Sequence, residues 1–148
     1  MKKFLMVIGA LFIFIILFFI YLSYGNSEYE KSSKRFVEDV TPVLLSNFNK
    51  KTLKKYSCKE LEKVIDENNS TEKLFKMFEK LGKYESFNNS KGIVYTSFGS
   101  KGKVIKANYS VFCNFSKGKV VAKYRIVNRD SKWKICAFNI SYDATLIE

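Results

Sequence analysis

Ile105-Lys106-Ala107-Asn108-Tyr109-Ser110-Val111-Phe112-Cys113-Asn114-Phe115 is the stretch that decides the fold. Ile105, Ala107, Tyr109, Val111, Cys113 and Phe115 share one parity, and Lys106, Asn108, Ser110, Phe112 and Asn114 share the other. Side chains alternate across a strand, so this is a β-strand with one face on a core. Lys117-Gly118 after it supports a tight hairpin. Val120 to Asn128 repeats the alternation, a turn is expected at Arg129-Asp130-Ser131, and Trp133 to Tyr142 forms a last strand. Ahead of it, Ile93 to Phe98 and the turn Gly99-Ser100-Lys101-Gly102 add a first strand. These segments predict an antiparallel meander of about four strands. The last strand changes phase between Ile135 and Phe138, and a bulge near Cys136–Ala137 keeps both apolar sets on the core face.

Upstream, the period is helical. Phe36, Val37, Val40, Leu44, Leu45 and Phe48 mark one apolar face, with Pro42 either kinking the helix or opening a second segment. Ser57-Cys58-Lys59-Glu60 reads as a capping box before Leu61, Val64 and Ile65. Asn69-Ser70-Thr71-Glu72 repeats the signal before Leu74, Phe75, Phe78 and Leu81. Gly82 is placed to end that helix in the left-handed conformation. About three helices followed by a curved antiparallel sheet make an α+β domain over residues 35–148, behind a polar spacer at 26–34.

The first 25 residues are of another kind. Lys2 and Lys3 precede an uncharged, apolar run from Phe4 to Tyr24, and about 20 such residues cross a bilayer as a helix. A signal-anchor transmembrane helix over residues 1–25 is the expectation. Cleavage as a signal peptide near Ser23-Tyr24-Gly25 is the alternative, disfavoured because the run exceeds the usual core of about 7–15 residues. No cysteine near the start supports a lipid anchor. The basic, signal-like start favours a domain outside the cytoplasm.

The chain of 148 residues carries a formal charge of +12 and no histidine. The absence of histidine excludes histidine-based triads, histidine general bases and histidine-containing zinc sites. The excess charge is nearly all lysine and is scattered along the chain. Only Arg35, Arg125 and Arg129 offer the planar fork suited to phosphate, so nucleic acid is not expected as a partner. Lys106, Lys123, Arg125 and Lys134 fall on the parity opposite the core and predict a basic stripe across three strands. That stripe suits an acidic protein or an anionic envelope polymer, and a plain solvated surface stands beside it. Sequons beginning at Asn68, Asn69, Asn88, Asn108, Asn114 and Asn139 follow from a Lys/Asn/Ile-rich composition that reads as bacterial.

The order of elements, the helix end Phe78-Glu79-Lys80-Leu81-Gly82-Lys83-Tyr84, and Trp133-Lys134-Ile135 followed by Phe138-Asn139-Ile140 resemble the nuclear transport factor 2-like, or cystatin-like, cone fold. The likeness is to small exported bacterial members with one N-terminal anchor. It implies a pocket between sheet and helices, which Tyr109, Tyr124 and Trp133 would line if they are not simply core. An enzyme of that fold needs an acid or base in the pocket. Glu38, Asp39 and Asp143 are the carboxylates near apolar segments, and no spacing argues for their use in catalysis.

No metal-like spacing occurs among Cys58, Cys113 and Cys136, and neither metal nor cofactor is expected. Second and fourth strands of a meander lie about 10 Å apart, too far for the roughly 7 Å that a disulfide spans. With Cys113 opposite Ala122 and Cys136 opposite Arg125, these two are not expected to bridge. Any internal disulfide is expected to join Cys58 to Cys113 on the core face, with three buried thiols as the alternative. The function expected is a non-catalytic, membrane-anchored, extracytoplasmic interaction module of a bacterial cell-envelope assembly. A binding protein holding a small apolar ligand in the cone is the alternative.

Overall fold

The computed structural model describes residues 2–67, 70–99 and 102–142, with side chains over 12–18, 27–67, 71–98 and 102–141. Among these residues four helices precede four strands: α1 (Lys2–Ser46), α2 (Lys50–Tyr56), α3 (Lys59–Glu67), α4 (Ser70–Leu81), β1 (Tyr84–Gly99), β2 (Gly102–Phe115), β3 (Gly118–Arg129) and β4 (Lys132–Tyr142). The strands form one antiparallel sheet in the order β1-β2-β3-β4. The domain is thus α+β with a four-stranded meander, as the alternation predicts.

Alternation on β2 sends Ile105, Ala107, Tyr109, Val111, Cys113 and Phe115 into the core. β3 adds Val120, Ala122, Tyr124 and Ile126, and β4 adds Trp133, Ile135 and Ile140. The phase change in β4 is resolved by a bulge. Arg125 pairs with Ala137 and Ile126 with Ile135, so Cys136 has no partner across the ladder. The two apolar sets therefore face the same way. Asp130 and Ser131 both take positive φ, 51° and 60°, the geometry of a two-residue type I′ turn.

Helical residues close the inner face. Val37, Val40, Leu44 and Leu45 of α1, Leu53 of α2, Ile65 of α3 and Phe78 and Leu81 of α4 are all buried there. Phe48, Phe78, Phe115 and Phe138 form a chain of ring contacts from the α1–α2 connection across α4 to β2 and β4, with centroids 3.8–6.4 Å apart. Gly82 ends α4 with φ +77°, and the Leu81 and Lys83 carbonyls accept from the N–H groups of Lys117 and Ser116 in the β2–β3 turn.

Several expectations are corrected. Among the described residues no helix is long and apolar enough to cross a membrane, which overturns the transmembrane helix expected over residues 1–25. The apolar side chains described in that stretch are Phe12 to Phe18, all exposed. The remaining side chains of that stretch, Ser23-Tyr24-Gly25 included, lie outside the described residues. The spacer expected at 26–34 is helical and continuous with α1, with Ser33 fully buried. Pro42 neither ends nor restarts the helix, which runs on to Ser46.

α2 was not expected. Asn49 caps it, its side chain accepting from the Thr52 N–H at 2.8 Å. Ser57 does not form a capping box: its hydroxyl donates to the Leu53 carbonyl, and the residue closes α2 instead of opening α3. β1 begins nine residues before Ile93, at Tyr84, because two bulges let a strand without alternation stay paired with β2. The β2–β3 turn is Ser116–Lys117 and not Lys117-Gly118, so Cys113 pairs with Val120 and Val111 with Ala122.

Cys58 is disulfide-bonded, but to Cys136 and not to Cys113. The bulge takes Cys136 out of the ladder. The free edge of β4 accepts the Ser57–Cys58 segment, through a parallel bridge from Ser57 to Ile135 and a Cys58 N–H donating to the Ile135 carbonyl at 2.8 Å. The two Cα atoms lie 5.2 Å apart. Cys113 is a buried free thiol.

Candidate interaction site

All packed helices cover one face of the sheet, and the register assigns the residues of the other. Directly paired residues share a face, so four rows cross the outer face. They are Tyr95–Lys106–Val127–Lys134, Ile93–Asn108–Arg125–Ala137, Lys91–Ser110–Lys123–Asn139 and Asn89–Phe112–Val121–Ser141. The two middle rows and Phe112, together with Gly92, Tyr109, Tyr124 and Phe138 at intervening positions, line an open groove of about 710 Å³.

The groove has one sign of charge. Lys91, Lys123 and Arg125 line it and, among the described residues, no carboxylate does. None of the ion pairs among the described residues involves these three cations. Asn108, Ser110 and Asn139 supply amides and a hydroxyl, and Phe112 and Ile93 supply apolar surface. The Lys91 ammonium lies 6.0 Å from the centroid of the Phe112 ring, at the limit of a cation–π contact.

Of the basic stripe expected from sequence, Lys123 and Arg125 stand in the groove. Lys106 and Lys134 share an adjoining row with Val127 between them. The Lys134 ammonium is engaged at 3.0 Å by the carbonyl of Lys55. Lys91 escaped the sequence argument because it precedes the stretch that alternates. Its only signal is that it lies on the same parity as Ile93, one strand step earlier.

Tyr109, Tyr124 and Trp133 lie where expected, on the face toward the helices, and are at most 8% exposed. Each polar tip is tied to α1. Tyr109 and Ser33 hydroxyls are 2.9 Å apart, and the Trp133 indole N–H donates to Ser32 at 3.1 Å. Thr41 Oγ1 lies 2.7 Å from the Val37 carbonyl and 3.1 Å from the Tyr124 hydroxyl. A hydroxyl has one proton, so with Thr41 donating to Val37 the tyrosine hydroxyl supplies the second bond. Burial pushes the Tyr124 hydroxyl far above its ordinary range, and the bond to Thr41 opposes that shift only in part. These residues fill the interior as core.

The nominated carboxylates are not brought together. Glu38 accepts from the Ser90 hydroxyl at 2.7 Å and faces Lys34 at 3.9 Å. Asp39 is exposed beside Arg35. Asp143 lies outside the described residues. Cys58, Cys136 and Glu60 have ligand atoms within 4.8 Å of one another. The two sulfurs are bonded together, so they present no thiolates, and the Glu60 carboxylate faces the Arg129 guanidinium at 2.9 Å. Comparison with protein-family models, with curated proteins and with solved structures finds no match.

Proposed function

We propose that this protein is a non-catalytic interaction module of a bacterial cell-envelope assembly, working outside the cytoplasm and engaging an anionic partner through the outer face of its sheet. The observation that carries this is the groove with three cations and, among the described residues, no lining carboxylate and no ion pair on any of the three. A low-dielectric wall lined by one sign of charge concentrates counter-ions and steers a partner of opposite sign. The Cys58–Cys136 disulfide supports an oxidising compartment, where such bonds persist. The helices-then-meander order is compatible with a cone-like fold of the nuclear transport factor 2 type, used as an assembly module. No membrane span enters this proposal. The alternative, a small apolar ligand held inside the cone, is not carried forward, since the aromatic residues meant to line its pocket are packed and hydrogen-bonded as core.

The test is a double charge reversal, Lys123→Glu with Arg125→Glu, assayed by co-sedimentation with the isolated envelope fraction. Both side chains are exposed, so the fold should tolerate the change. Association should drop about tenfold at 50 mM salt, with the difference shrinking toward 500 mM as the charges are screened. Equal association of parent and variant at low salt refutes the proposal. A reporter active only outside the cytoplasm, fused at the C-terminus, tests the compartment. An inactive fusion refutes it.

A further inference from the structure

We infer that the groove on the outer face is a binding site for an anionic glycan, a sugar polymer bearing carboxylate or phosphate groups. This rests on the proposed engagement of an anionic partner and narrows it to a chemical class and a set of residues. Charge complementarity gives the sign of the occupant: Lys91, Lys123 and Arg125 with no lining carboxylate among the described residues. The remaining lining groups distinguish a sugar from other polyanions.

An unbroken row, Lys91–Ser110–Lys123–Asn139, crosses all four strands, and Asn108 lies beside Arg125 in the next row. Strands are spaced by about 4.8 Å, so the row extends about 14 Å from β1 to β4. It alternates a cation with a short neutral hydrogen-bonding group. Side-chain amides donate and accept at once, and a hydroxyl does the same. That matches sugar hydroxyls, which need both, better than it matches a simple line of anions. Phe112 stands at the edge of the row with the Lys91 ammonium 6.0 Å from its ring centroid. An aromatic face accepts the apolar C–H face of a pyranose, and the adjacent ammonium can hold that sugar's acidic group.

An acidic peptide fits less well. Peptides commonly gain affinity by adding a strand to a sheet edge, by seating a helix in an apolar groove, or by setting acidic groups on an arginine cluster. This groove lies on a sheet face, whose backbone groups are already used in the ladders between neighbouring strands, and it holds one arginine.

The experiment uses the full, oxidised chain and titration calorimetry at 150 mM salt with three probes: polygalacturonate, poly-glutamate and neutral dextran. Polygalacturonate should bind, poly-glutamate should bind at least tenfold more weakly at equal charge concentration, and dextran should not bind. Phe112→Ala and Asn108→Ala leave the net charge unchanged, and each should weaken polygalacturonate binding about fivefold. Lys106→Ala, outside the groove, should change it less than twofold. If Phe112→Ala loses the sheet signature in circular dichroism, Asn108→Ala and Asn139→Ala decide in its place. Neutral variants that bind as well as the parent overturn the glycan site but leave the anionic partner standing. Poly-glutamate binding at least as tight as polygalacturonate does the same, and makes the occupant an acidic protein. Failure of every polyanion to bind overturns the glycan site, and with unchanged envelope association of the Lys123→Glu/Arg125→Glu variant it overturns the proposed function too.

Discussion

Removing the Cys58–Cys136 disulfide should cost several kcal/mol, and the size follows from where it sits in the chain. The two residues are 78 apart in sequence, so the bond closes most of the domain into one loop. Chain-entropy theory assigns a loop of that length about 4.5 kcal/mol at 25 °C, within the range of about 2–5 kcal/mol for native bonds of small secreted domains. Little of that is recovered locally, since one backbone bond from Cys58 to the Ile135 carbonyl holds the same junction. The assay is urea unfolding followed by circular dichroism, comparing the oxidised parent, the parent with reductant, and a Cys58→Ala/Cys136→Ala variant. With a slope of about 1–3 kcal/mol per M, the midpoint should fall by about 1.5–4.5 M. The reduced parent and the variant should agree, because alanine leaves no unpaired polar group behind. A midpoint unchanged by reductant, or a peptide map joining Cys113 to either partner, would refute the register of β4 and the bulge that frees Cys136.

Gly92→Ala should destabilise the domain by about 1–3 kcal/mol, the cost of overpacking, because an added Cβ would fall inside contact distance of the Tyr109 ring. A thermal melt showing a neutral or raised Tm would mean that the ring does not lie over Gly92. Alkaline pH should also destabilise. Burial pushes both the Tyr84 hydroxyl and the Cys113 thiol up to about 12, from ordinary values of 10.0 and 9.0. The native state then keeps protons that the unfolded chain sheds, so stability is flat below about pH 9 and falls from there toward pH 12. Urea midpoints that stay level from pH 9 to 11 would contradict that burial.

The sheet was legible because its signal is local. Parity on β2 needs only the identities of residues 105–115, and the same parity forces the bulge once Ile135 and Phe138 must both face inward. Gly82 was legible for a similar reason, since only a left-handed residue ends α4 where it turns into β1. α2 was not legible, because seven residues with five polar or charged side chains and one buried Leu53 carry no period. Only the Asn49 cap announced it. The disulfide was half legible: Cys58 is the movable partner, but its choice of Cys136 depends on the free edge of β4, which no local pattern encodes. Lys91 was missed for a different reason. Its parity with Ile93 is intact, but Lys91 lies before the stretch that reads as strand, and only pairing with Ser110 places it in the groove.

The bonds between α1 and the sheet favour the outer face over the interior for the proposed partner. Ser32, Ser33 and Thr41 reach Trp133 on β4, Tyr109 on β2 and Tyr124 on β3. A helix that slid or lifted to admit a ligand would strand two buried phenols and a part-buried indole. Each buried polar group left unpaired costs about 1–3 kcal/mol, so the three together oppose opening by several kcal/mol before any apolar contact is lost. A small apolar ligand returns only about 25 cal/mol for each Å² it buries, and it would first have to displace side chains that already bury theirs. The groove on the outer face has no such cost. Its cations are solvated, its amides and hydroxyl lie in two neighbouring rows fixed by the ladder, and the proposed partner, bringing charge and hydroxyls, would find both kinds of group already in place.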